Sequence, residues 1–198
     1  MDPKFTSADW LGLQISYLEA VRHGQLDRFN RRRWQQSDSF AEWLQPENLA
    51  SLASRQATTL YRASGGRQVA DFGTNTEDDL RDSLDFLLYD TITLEARFAE
   101  CASPQGAFKL AGAGKEFISY VLCLKNPGLF GIWNAASERT LRRLGLFTPT
   151  MAKGHLGLGY LEVLESLAIV RQRMGLEHFR QVDEFCYVIS RGLGVGAK

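Results

Sequence analysis

Leu110-Ala111-Gly112-Ala113-Gly114-Lys115-Glu116-Phe117, in the middle of a 198-residue chain, decides how the rest is read. Two glycines one residue apart permit a tight backbone bend, and an apolar run from Phe117 to Leu124 follows at once. The spacing predicts a hairpin between two helices, the second starting at the bend. The amides of Ala113 to Glu116 then lack intrahelical partners and sit at the positive end of a helix dipole. A phosphate oxygen binds such amides, and Lys115 adds charge. The Gly-x-Gly lacks the preceding strand and the following spacing of a dinucleotide-binding fold, which excludes that class. An ordinary tight connection between packed helices is the plain alternative.

Outward from this stretch the pattern stays helical. Trp10, Leu13, Tyr17, Leu18 and Val21 share a stripe that Gly24 ends, with Thr6-Ser7-Ala8-Asp9 as a capping box. A short helix carries Arg28, Arg31, Arg32 and Arg33, which fit a mixed ion-pair surface better than a phosphate tract. Gly65-Gly66 breaks the next long helix, and residues 67–75 read as irregular with a short extended piece at Val69–Phe72. Thr76-Glu77-Asp78-Asp79 caps a further helix, where acids belong for electrostatic reasons rather than for catalysis. Residues 145–159 read as a glycine-punctuated loop and Tyr160–Met174 as a helix. The expected architecture is all-α: an N-terminal helical lobe over 1–90 and a second over 91–198, or one continuous domain.

Composition narrows the class. The chain is 44% hydrophobic and 23% charged, inside the range of folded globular proteins, and its formal net charge is zero. No apolar run is long enough for a membrane span, and no secretion signal opens the chain. Cys101, Cys123 and Cys186 are an odd count at wide spacings, which suits a reducing cytoplasm and neither disulfides nor zinc. His23, His155 and His178 are isolated, so no metal and no cofactor are expected. Charge is uneven: residues 1–100 carry 11 basic and 16 acidic side chains, residues 101–198 carry 12 and 7. The excess lies between 104 and 155, a basic face able to meet a polyanion.

From residue 94 to 147 the chain resembles the helix-hairpin-helix DNA glycosylase superfamily. Leu110-Ala111-Gly112-Ala113-Gly114 echoes that family's Leu-Pro-Gly-Val-Gly hairpin. Phe117–Leu124, Asn126-Pro127, Phe130–Asn134 and Ala135–Leu144 follow in its order of helix, Pro turn, apolar step and helix. The resemblance implies a two-lobed helical domain with a central helix-hairpin-helix, DNA as partner and recognition of a flipped base. It also implies a setting in DNA repair or in defence against foreign DNA, phage included. Two positions depart from the family. Asn134 stands where a catalytic aspartate is expected, and Glu116 stands where lyase-competent members have lysine.

The expected function is therefore DNA binding. Gly112, Gly114 and Lys115 would hold a backbone phosphate, Arg139, Arg142, Arg143 and Lys153 would supply attraction, and Trp133 would stack on a base. Asn134, Glu116 and, as a substitute carboxylate, Asp183 are the candidate catalytic groups should the chain be a monofunctional DNA N-glycosylase. A helical scaffold for a protein partner is the remaining alternative.

Overall fold

The structure, a computed structural model, describes residues 7–194, apart from the side chains of residues 7–9, 152 and 153. The protein is all-α; among the described residues there is no strand. In chain order the helices are α1 (Ser7–Arg22), α2 (Asp27–Arg33), α3 (Ser37–Trp43), α4 (Pro46–Leu49), α5 (Ser54–Ala63), α6 (Val69–Phe72) and α7 (Glu77–Tyr89). They continue as α8 (Leu94–Ala102), α9 (Lys115–Lys125), α10 (Ala135–Arg143), α11 (Pro149–Lys153), α12 (Leu156–Met174) and α13 (Phe179–Arg191). Thr6, in the expected first cap, lies outside the described residues.

The axis of the molecule is α9, because a helix apolar all round is stable only when neighbours cover every side. All residues from Phe117 to Leu124 are buried, with α3, α7 and α8 packed against the helix. Two further pairings carry the other half: α8 lies on α12, and α10 lies on α13. The first helix, α1, packs on α13 and α12 rather than on its sequence neighbours. Tyr17 Oη donates to Glu184 at 3.2 Å, and the Tyr17 ring meets Phe185 edge-on at 5.8 Å. One buried apolar cluster runs across residue 90 without a break.

Local rules account for the boundaries. Thr76 and Asp79 cap α7 reciprocally, the hydroxyl accepting from Asp79 N at 3.1 Å and the carboxylate from Thr76 N at 3.0 Å. Asn134 caps α10, its Oδ1 accepting from Ala136 N and Ser137 N. Two stretches differ from the sequence reading. Val69–Phe72 is a helical turn, not an extended piece, with Phe72 N donating to Gln68 O at 2.9 Å and the Phe72 ring stacked on Tyr61 at 4.1 Å. The loop expected at 145–159 is largely α11 and the start of α12. A Cβ at Gly157 would stand 1.9 Å from Glu95 O, and one at Gly159 would stand 2.9 Å from the Trp133 ring. Gly157 lets α12 touch α8, where Phe98 stacks on Tyr160 at 4.0 Å, and Gly159 makes room for the Trp133 ring.

The bend at 110–114 follows a loop, not a helix, since α8 already ends at Ala102. It is held from outside. Asn75 grips Ala111 twice, Oδ1 accepting from Ala111 N at 2.8 Å and Nδ2 donating to Ala111 O at 3.1 Å. Tyr61 Oη donates to Gly112 O at 2.8 Å. Gly112 has φ +71, and a Cβ there would lie 2.8 Å from both Gln68 O and Phe72 N. Gly112→Ala is accordingly expected to cost about 1–3 kcal/mol through left-handed strain and backbone contact, read as a lowered urea midpoint. An unchanged midpoint would mean that the bend is not pinned against α6.

Candidate nucleic-acid interface

A cleft of about 900 Å³ opens where α2, the Gly65-Gly66 turn, and the starts of α9 and α10 face α13. Its depth is set by Asp183 on α13, which is only 4% exposed although it lines the cleft. A carboxylate that deep needs partners. Asn134 Nδ2 donates to Asp183 Oδ1 at 3.0 Å, and Arg33 Nε stands 2.6 Å from Asp183 Oδ2. The second contact is close but misaligned, so Asp183 Oδ2 has no hydrogen-bond partner among the described residues, nor has Arg33 Nη2.

Arg33 ties the floor together. Its Nη1 donates to Ser64 O at 2.6 Å and reaches Glu116 Oε1 at 3.4 Å, while Tyr120 Oη donates to the backbone carbonyl of Arg33 at 2.6 Å. The guanidinium also lies 5.1 Å from the Tyr120 ring centroid, within cation–π range. Burial works against its charge, but Asp183 and Glu116 hold its pKa above the ordinary arginine value. Burial raises both carboxyls, Asp183 and Glu116, and the pull of Arg33 only partly offsets this. Glu116 is the reachable one, its side chain 39% exposed at the lip. Gly65, at φ +99, leaves room for it: a Cβ there would lie 2.9 Å from Glu116 Oε1.

Around the mouth stand Arg28, Arg32, Arg67, Arg139 and Arg191, all exposed and none in an ion pair among the described residues. One wall is aromatic. Phe29 and Tyr187 stack at 4.2 Å and 23°, both partly accessible and both lining the cleft.

The structure thus brings Gly112, Gly114, Lys115, Glu116, Asn134, Arg139 and Asp183 to one cleft. Others fall elsewhere. Trp133 is 1% exposed and cannot stack on a base: it lies in the core against Phe98, its Nε1 donating to Glu138 Oε1 at 2.9 Å. Arg142 and Arg143 do not line the cleft, and Arg142 lies over the Phe147 ring at 3.7 Å. Lys115 is engaged by Glu138 and sits over the Trp133 ring at 4.3 Å, which reduces what it offers a ligand. The side chain of Lys153 lies outside the described residues. The amide of Ala113 is not free, since it donates to Leu110 O at 3.1 Å. Past it, α9 has no side-chain cap, which leaves the amides of Lys115 and Glu116 at the lip.

The arginines of α2 correct the sequence reading most. They do not form a mixed ion-pair surface; Arg33 alone is paired, and to residues far along the chain. A signal was present: between residues 28 and 37 there is no acid, and only Asp27 stands at helical pairing distance from any of them, four before Arg31. The aromatic wall carried no signal, because Phe29 and Tyr187 are 158 positions apart and meet only when α2 and α13 pack.

Among the described residues no cluster of His, Cys, Asp and Glu has the form of a metal site, and no helix is long and apolar enough to cross a membrane. Cys101, Cys123 and Cys186 are buried free thiols, and burial pushes Cys101 up to about 12, so none is a ready nucleophile. Comparison with known protein families, curated proteins and solved structures finds no match to this chain.

Proposed function

We propose that the chain binds DNA in this cleft, holding backbone phosphate on the arginine rim and admitting an unpaired base between the Phe29–Tyr187 wall and the polar floor. One observation carries this: arginines with no ion pair among the described residues line a cavity whose floor is a nine-tenths-buried carboxylate and amide. Guanidinium forks match phosphate oxygens, an aromatic pair offers a stacking face, and Asn134 with Asp183 presents both a donor and acceptors to a base edge. The resemblance to helix-hairpin-helix glycosylases, which rests on the order of residues from 94 to 147 and not on a helix leading into the bend, points the same way, toward a module for repair or for defence against foreign DNA. Fluorescence anisotropy with labelled oligonucleotides tests it. Affinity should fall steeply with salt. Absence of binding at low salt would leave the protein-scaffold alternative in its place.

Asp183 also favours a second function, N-glycosidic hydrolysis. It lies 3.0 Å from Asn134, where the resemblance places a missing charge. Arg33 neutralises that carboxylate, however, so binding is placed first. Base release from modified duplexes that disappears in Asp183→Asn, while circular dichroism shows that variant still folded, would promote the enzyme.

The raised carboxyl of Glu116 gives a pH signature. It takes up its proton earlier than an ordinary glutamate as pH falls, which removes a negative charge from the cleft. DNA affinity should therefore rise as pH falls, starting at a higher pH than an ordinary glutamate would give, and Glu116→Gln should bind more tightly above that transition with a flatter profile. Parallel profiles for the two proteins would take Glu116 out of the interface.

A further inference from the structure

Beside the cleft lies a second cavity of about 470 Å³. Its walls gather Arg31 and Arg32 from α2, Arg62 from α5 and Arg67 from the turn that follows α5. No carboxylate lines it, and none of these four side chains is in an ion pair among the described residues. Like charges gathered in one depression repel each other, and only an anion placed among them reverses the sign of that interaction. Arg32 and Arg67 line both cavities, so they form a shared ridge rather than two separate surfaces.

The chemistry on the two sides differs. The main cleft mixes donors with the acceptors of Glu116, Asp183 and Asn134, as a base edge requires. The outer cavity is dominated by guanidinium donors, as phosphate requires. We infer that the outer cavity is a phosphodiester subsite for the same ligand, and that the ligand is a single strand crossing the Arg32–Arg67 ridge from one cavity to the other. A duplex reaches the buried floor of the main cleft only after a base is extruded from its stack, a cost that an already unpaired strand does not carry. An unpaired strand can place a base on that floor and its next phosphates among Arg31, Arg62 and Arg67. This rests on the nucleic-acid function proposed for the main cleft, and the experiment separates the two.

Two exposed pairs make the distinction. Arg31 and Arg62 line only the outer cavity; Arg28 and Arg139 line only the main cleft. Affinities of oligothymidylates of two nucleotides and of about 12 are measured over a salt series for the unmodified chain and both double alanine variants, with circular dichroism as the folding control. Arg31→Ala with Arg62→Ala should weaken the longer strand about tenfold and lower its log–log salt slope by about 1.4, two phosphates at ~0.7 each, while the dinucleotide is unaffected. Arg28→Ala with Arg139→Ala should weaken both. The outer subsite is overturned if its variant binds the longer strand like the unmodified chain, or loses the dinucleotide equally, while the main-cleft variant still fails. Tighter binding of a duplex of the same length overturns the single-strand assignment. If the unmodified chain binds neither oligonucleotide at low salt, the main-cleft function falls and the subsite with it.

Discussion

Arg33→Met is expected to lower the free energy of unfolding by about 3–5 kcal/mol, because it strands Asp183 as a buried charge without its counter-ion. The same change removes the donor to Ser64 O, a contact between α2 and the end of α5. In a chain of this length a loss of that size shifts the thermal midpoint by roughly 6–20 °C. Asp183→Asn alone should cost less, since Arg33 keeps Glu116 at 3.4 Å as a counter-ion. The informative comparison is Arg33→Met combined with Asp183→Asn. Removing both charges should restore most of the stability, because the penalty belongs to the unpaired ion and not to the absence of the pair. If the double variant is as unstable as the sum of the singles, Arg33 and Asp183 are not partners in the folded protein. Denaturant unfolding followed by circular dichroism reads all three.

The second large effect is on binding. Arg28→Ala, Arg139→Ala and Arg191→Ala together should reduce DNA affinity on the order of a hundredfold at moderate salt and lower the salt slope by about 2. Stability should barely change, because all three are exposed and unpaired among the described residues. Arg142→Ala with Arg143→Ala is the control, removing two cations against three, on the same helix as Arg139 but away from the cleft. An equal loss in that control would mean that the ligand answers to overall charge and that the cleft has no special part in holding it.

How much of this was legible depended on whether the deciding interaction was local. The caps of α7 and α10 were, since Thr76 with Asp79, and Asn134 with the amides of its own first turn, lie within three residues. The helical class was legible too, from apolar spacing alone. Gly157 and Gly159 misled, because a glycine that breaks a helix and one that admits a neighbouring helix look alike until Glu95 O is seen beside it. Trp133 misled for a related reason: apolar neighbours on both sides were a truer guide to its place than its proximity to the bend. Of the candidate site, Asn134, Glu116 and Asp183 were each named, but Arg33, which joins Asp183 to Glu116, was read with its α2 neighbours. That cation is bonded to residues 83 and 150 positions away, and no window of sequence contains both ends.

The position of α1 against α12 and α13 has a temporal meaning. During synthesis α1 emerges long before the residues that cover it, since α12 begins only at Leu156 and α13 at Phe179. Closure of the molecule is then a late, long-range event of the kind that slows folding. The floor of the cleft waits on the same event, since Asp183 arrives with α13.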